Sequence, residues 1–328
     1  MTAVQRVDIF QRRHRWLGLP LAVVYKFFDD QGPYLAALLT YYGFLALFPL
    51  LLLLVTALSG LLHNDPHLQH QVLHSALSQF PVIGGQIGDN IHSFRSNGFA
   101  LAGGIAGSLY GVSGVMTAAQ NALNNIWAVP RCERLNPLRS RVRGLLFLVV
   151  PVAGLILTSA LSVVASVPRI FGTRIGTGST LGLNAAAIVL TTAMLMAAYH
   201  VLTHRAQPVQ HVAGGALIAA CVWQTVQWGG NYYVHHILRG ATATYGLFGI
   251  VLGLFAWIFL GALVFVLGAE ISTVRAFRLW PRSLLTPFTD RVLLTHGDRL
   301  AYTRYAAIQK LKGFEDIEVS FGPSPLDK

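Results

Sequence analysis

Glu270 is the one acidic residue of this sequence that lies inside or against an apolar run. A carboxylate in such a place binds a proton, coordinates a cation, or pairs with a basic neighbour. It stands at the end of the run from Gly246 to Ile271, shortly before Arg275, so a surface ion pair is the expected arrangement and proton or cation coupling the functional alternative. A second polar set is Gln224, Gln227 and Asn231, whose spacing of three and four puts them on one helical face with Trp223 and Trp228 nearby. Amides at that depth are costly to expose to lipid, so this face is expected to line the bundle interior or a groove holding water or headgroups. A third set, Gln120, Asn121, Asn124 and Asn125, precedes Trp127, where the amides could coordinate a polar solute or satisfy the carbonyls of a helix end.

Other residues bear on packing or on metals. Tyr41-Tyr42 is followed by Pro49, which removes a backbone hydrogen bond and is expected to kink or break its helix; interrupted helices often border transporter binding sites. Gly103, Gly107 and Gly111 recur every four residues and clear one helix face for close backbone packing, within one chain or between two copies of it. His67, His70 and His74 would align on a helix over 66–79, as a zinc-binding or pH-sensing stripe would. With no cysteine near and only Asp65 and Asp89 to complete a site, a solvated face without metal is the expectation. No G-x-S-x-G, H-E-x-x-H or Walker loop occurs, so no residue is nominated for catalysis and no cofactor is expected.

These residues sit in a chain of 328 that is 54% hydrophobic and only 11% charged, against roughly 25% charged in an ordinary soluble domain. So few charges cannot cover a water-facing surface of this size. Six apolar stretches are long enough to cross about 30 Å of hydrocarbon as helices: 35–62, 99–127, 144–166, 181–202, 212–231 and 246–271. The expected architecture is therefore an all-α integral membrane protein of six spans, with residues 1–34 an N-terminal tail and 272–328 a C-terminal tail. Within the first tail, Trp16 to Phe28 reads as a helix lying in the membrane interface; within the second, Leu300 to Leu311 reads as a short helix. The first long apolar run begins near Leu35 with no small-residue cleavage pattern before it, so no signal peptide is expected. Cys132 and Cys221 lie in a basic loop and an apolar run, a poor placement for a disulfide.

The net charge of +11 raises the question of a nucleic-acid partner, but the basic residues fall between the apolar runs, as topology signals do, and not in basic-aromatic stripes. With six spans, all of the 24 basic residues except Arg95, Arg169, Arg174 and Arg239 fall on one side, together with both tails. That asymmetry places the N- and C-termini in the cytoplasm, and membrane lipids are the expected partners.

Several blocks of this sequence resemble the YihY or BrkB-like inner-membrane proteins of bacteria, once given a ribonuclease BN label. They are Thr40 to Pro49, Ala119 to Trp127 with Arg131, Gly215-Ala216 with Trp223, and Thr244-Tyr245-Gly246 through Trp257 to Gly268-Ala269-Glu270. The sequence departs from the family pattern at Ala46, after Asn124 and at Tyr110. The resemblance adds Tyr245 to the candidate residues. It implies a six-helix inner-membrane protein with names drawn from virulence and serum resistance and with lipid transport as one expected role; nothing in these residues resembles a metal-dependent nuclease centre.

A transporter or translocase of a lipid, another amphiphile or a small polar solute is the functional expectation, with a non-transporting scaffold for envelope or division machinery as the alternative and a membrane-embedded hydrolase or nuclease as the less favoured third. A reporter enzyme fused after Lys328 is expected to be active in the cytoplasm; activity in the periplasm would invert the whole topology.

Overall fold

The computed structural model describes residues 3–61, 98–151, 153–154, 157, 177–205, 207–233, 239–289 and 291–322. Among them every α or β element is helical: α1 (Ala3–Arg13), α2 (Arg15–Asp29), α3 (Gly32–Leu61), α4 (Gly98–Ile126), α5 (Pro137–Phe147), α6 (Thr177–Leu202), α7 (Val209–Tyr233), α8 (Arg239–Phe277) and α9 (His296–Ala307). Within these helices, Asn184–Leu202, Val209–Gly230 and Val251–Phe277 are long and apolar enough to cross a membrane. Gly32–Leu47 of α3 is a shorter apolar stretch. Most of the expected third span lies outside the described residues, as do His67, His70 and His74 and the expected helix over 66–79. The side chains of Pro49, Asn231 and Tyr245 are likewise outside them.

α8 is the hub, packing on α7, α3, α2 and α4, while α3 lies along α4 and α7 along α6. Small residues set these distances. A Cβ on Gly111 of α4 would come within 2.8 Å of the α3 backbone at Leu45 and Ala46. A Cβ on Gly215 of α7 would meet Gly268 and Ser272 of α8, so those two backbones touch, and the Ser272 hydroxyl donates to Gly268 O at 2.9 Å. Gly107, by contrast, faces open space. Between α6 and α8, the Tyr199 hydroxyl, fully buried, donates to Phe265 O at 2.8 Å.

Of the kink or break expected at Pro49, no break occurs: α3 continues through it, so the tyrosines and the segment beyond belong to one helix. One expectation needs correction. The expected tail helix starts earlier, at His296, because Thr295 and Asp298 form a reciprocal capping box that fixes its first turn.

α4 and α8 both end in turns of the Schellman type, in which an amide reaches back five residues: Val129 N to Asn124 O at 2.8 Å, and Leu279 N to Val274 O at 3.1 Å. The residues in the left-handed conformation there are Ala128 (φ 53°) and Arg278 (φ 53°), where glycine is more usual. After α8 the chain folds back over the N-terminal helices, with Leu279 packed against Ala22, Val23 and Val274. The Gln11 side chain donates to Arg282 O at 2.6 Å, Leu284 N donates to Asp8 at 2.9 Å, and the Tyr25 hydroxyl donates to Leu284 O at 2.8 Å. Farther on, Arg131 N and Cys132 N donate to Ile308 O and Lys310 O. The two ends of the chain therefore form one layer over a single face of the helix bundle, called here the terminal face.

Replacing Gly111 with Val is expected to cost about 1–3 kcal/mol, the usual penalty for overpacking a tight contact. The same change at Gly107 should leave stability nearly untouched. Thermal unfolding of both variants in detergent, followed by intrinsic fluorescence, checks the contrast.

Candidate functional site

Lys26 lies on the face of α2 that is turned inward with Ala22 and Val23, so its ammonium is carried into the protein and not into water. Its Nζ donates to two acceptors and lies within ion-pair distance of a third. One is Asp30, one helical turn on; the second is the carbonyl of Ile126, the last residue of α4, at 2.9 Å; the third is Glu270 Oε2 of α8, at 3.2 Å. A cation at Ile126 also sits at the negative end of the α4 dipole, where an orphan carbonyl needs a donor. One buried amine thus joins α2, α4 and α8.

Glu270 is fully buried, and neither of its oxygens receives a well-formed hydrogen bond from the described residues. Its pairing corrects the expectation from sequence, for the partner is Lys26 and the site is internal. Five residues along a helix turn a side chain by about 140°, so Arg275 points elsewhere. Arg275 is exposed, with its guanidinium over Gly214.

A second ionic centre supports the first. Arg282 is buried, with Nε on Asp298 at 2.6 Å and Nη2 on Asp29 at 3.0 Å, and its guanidinium lies near the rings of Tyr25 and Tyr302. Asp298 also accepts from the amides of Ser283 and Thr295, so one carboxylate caps α9 and anchors the arginine. Arg304 of α9 lies over the Phe277 ring and donates to Trp127 O at 3.1 Å.

Between these centres opens a cleft of about 280 Å³ bordered by Lys26, Asp30, Asn125, Tyr302 and Arg304. Its electrostatics follow from burial and pairing. Desolvation works against the charge on Lys26, but Asp30 and Glu270 outweigh it and hold the ammonium above its ordinary pKa. Burial pushes the Asp30 carboxyl up, against the pull of Lys26. Desolvation opposes the charge on Arg282, yet Asp29 and Asp298 raise it, whereas Arg304 is lowered by burial to about 10.

The other residues singled out from sequence occupy separate places. Gln120 is buried and bonds Ser140 of α5 through both ends of its amide. Asn124 accepts from His204 N at 2.9 Å, and Asn125 accepts from Arg134 at 2.7 Å. These amides tie the end of α4 to α5, to the chain just after α6 and to the loop before α5, while Asn121 is exposed. Tyr41 is exposed on α3, and the Tyr42 ring packs near Tyr110 and over Gly114 of α4. Gln224 and Gln227 are half-buried on α7, where Trp223 packs against Trp257 of α8. Neither set joins the Glu270 cluster. Lys26, Asp30, Arg282 and Asp298 were not nominated from sequence. The i, i+4 spacing of Lys26 and Asp30 and the Thr-x-x-Asp box at Thr295 were the available signals.

A profile described as virulence factor BrkB matches residues 23–283. The chain belongs to the virulence factor BrkB family. The matched stretch contains Lys26, Asp30 and Glu270 and ends just past Arg282, so the ionic cluster lies within the BrkB region while α9 lies beyond it. A UPF0761 membrane protein of Nitrosospira multiformis is 26% identical over 274 residues, covering 79% of this chain and 61% of its own length. One from Stenotrophomonas maltophilia is 27% identical over 289 residues, covering 80% and 62%. A putative ribonuclease-like protein, YfkH of Bacillus subtilis, is 25% identical over 265 residues, covering 74% and 90%. The chain thus spans about three fifths of the length of the two UPF0761 relatives. No solved structure matches it. With apolar helices of spanning length and this family, the chain is a membrane protein, helical in every regular element among the described residues.

Lys26→Met leaves two buried carboxylates without their cation and is expected to cost about 3–5 kcal/mol of stability, as breaking a buried pair does. The triple variant Lys26→Met, Asp30→Asn, Glu270→Gln should recover most of that loss. Denaturation midpoints in detergent compare the two.

Proposed function

We propose that this BrkB-family protein is a transporter or translocase, not an enzyme, which moves a lipid, another amphiphile or a small polar solute through the bacterial inner membrane. In this reading the chain crosses the bilayer six times over 35–271. Residues 1–34, with the interfacial helix, and 272–328 lie in the cytoplasm, and the terminal face is the cytoplasmic one.

The observation that carries the reading is the Lys26–Asp30–Glu270 cluster. Burying three ionisable groups at the end of a membrane helix costs several kcal/mol per ion, and replacing them by apolar side chains would often be neutral or stabilising. Packing alone gives no reason to keep them, whereas a site that changes charge or occupancy during a cycle does. The cluster borders a cleft wide enough for a headgroup-sized polar moiety, and it links α2, α4 and α8, so a change at the cleft bears directly on the contact between helices. The half-buried Gln224 and Gln227 on α7 and the tyrosines Tyr41, Tyr42 and Tyr110 on α3 and α4 provide polar surface along the bundle. No nucleotide motif is present in the sequence, so movement against a gradient would draw on an ion gradient or a partner.

The test is reconstitution into liposomes with a panel of labelled phospholipids, other amphiphiles and small polar solutes. The wild-type chain is expected to move at least one of them. Glu270→Gln and the double variant Gln224→Ala, Gln227→Ala are expected to lose most of that flux while keeping the wild-type elution profile. A folded protein that moves nothing in the panel would overturn the reading in favour of a scaffold.

A further inference from the structure

The ionisable groups around Lys26 do not balance. The cations in the two linked centres are Lys26, Arg282 and Arg304, and the carboxylates are Asp29, Asp30, Asp298 and Glu270. Arg282 answers Asp298 and Asp29, and Arg304 carries no carboxylate partner within ion-pair distance among the described residues, although it feels the charge of Asp30 across the cleft. Tyr25 and Tyr302 face Arg282, and the nearby Arg205 is paired with Glu133. Each centre therefore holds one carboxylate more than its cation: at Arg282 the extra one, Asp29, is open to solvent, whereas at Lys26 both Asp30 and Glu270 are buried around a single ammonium, and Arg304 stands beyond ion-pair distance of either.

Glu270 is out of reach of bulk solvent, and neither of its oxygens receives a well-formed hydrogen bond from the described residues. A buried carboxylate whose only support is a share of one ammonium is costly to keep ionised, and two carboxyls that interact through a common partner titrate as one unit. We infer that Asp30 and Glu270 form a proton-binding site, holding one proton between them at neutral pH and exchanging it through the cleft on the terminal face. Asp30 and Lys26 line that cleft, whereas Glu270 lies behind them, so the proton enters at Asp30 and is shared inward with the carboxyl of α8. The rise that burial imposes on the Asp30 carboxyl agrees with this. Loss of the proton leaves two ionised acids competing for Lys26 and loosens the tie between α2 and α8; its return restores the tie. The inference stands whether or not the chain transports a solute, since it concerns the charge state of the resting protein.

Infrared spectroscopy of the full-length protein in a maltoside detergent, which has no carbonyl of its own, reads the protonated carboxyl directly. The wild-type chain is expected to show one buried protonated carboxyl band at neutral pH that is lost on alkaline titration. Either Glu270→Gln or Asp30→Asn leaves one acid facing one ammonium, so each should abolish the band. Lys26→Met leaves two acids and no ammonium, so it should double the band. If Glu270→Gln does not fold, Asp30→Asn at the rim of the cleft and Lys26→Met still give opposite readouts. A wild-type spectrum without the band, or a band that survives in both single variants, would overturn the site. A band present only when sodium is withheld would assign the excess charge to a metal cation and overturn it equally.

Discussion

An ammonium group enclosed among helix ends needs acceptors and counter-charges, and Lys26 takes them from the end of its own helix, from the end of α4 and from α8. Asp30 follows from the turn between α2 and α3, Ile126 O is the last carbonyl of α4, and Glu270 belongs to α8. Failing any one of these would leave a buried charge short of a partner at a cost of kilocalories. That requirement fixes where α2 lies against the bundle, and with α2 the whole layer formed by the chain ends.

The layer on the terminal face repeats the same economy with Arg282. Asp298 is committed to the capping box of α9 and to the arginine at once, so the start of that helix and its attachment to α2 are one structural event. Asp8 likewise serves Arg12 on its own helix and the amide of Leu284 in the returning chain. Inside the apolar helix bundle the logic differs. There the contacts are made by removing side chains, at Gly111 under α3 and at Gly215 and Gly268 between α7 and α8, because lipid gives no hydrophobic drive for helix association and close backbone approach takes its place.

Much of the helical framework could be read from the sequence, yet the site could not. Glu270 was identifiable because a carboxylate beside an apolar run is rare, but its partner was sought along the same helix. Sequence neighbours are visible and spatial ones are not. Lys26 looked like one more basic residue marking orientation, and Asp30 like a flank of an interfacial helix. Nothing in their types separates a lysine in water from one turned under a helix bundle. The amides of Gln120, Asn124 and Asn125 show the same ambiguity from the other side: amides near a helix end suit a polar solute and a structural tie equally well, and only the folded chain brings Ser140, His204 and Arg134 against them.

The sequence by itself determined the class of protein, the placement of α2, α3, α4, α6 and α7 to within a few residues, and the uneven distribution of its basic side chains. Each of these sums a property over contiguous residues, and contiguity is what a sequence records. Tertiary structure alone decided that the two ends of the chain form one layer, that Glu270 faces inward to Lys26 and away from Arg275, and that a cleft opens beside them. Those outcomes turn on a few ångströms between residues far apart in the chain. The cost of an unpaired buried charge selects among such arrangements only once the helices are packed.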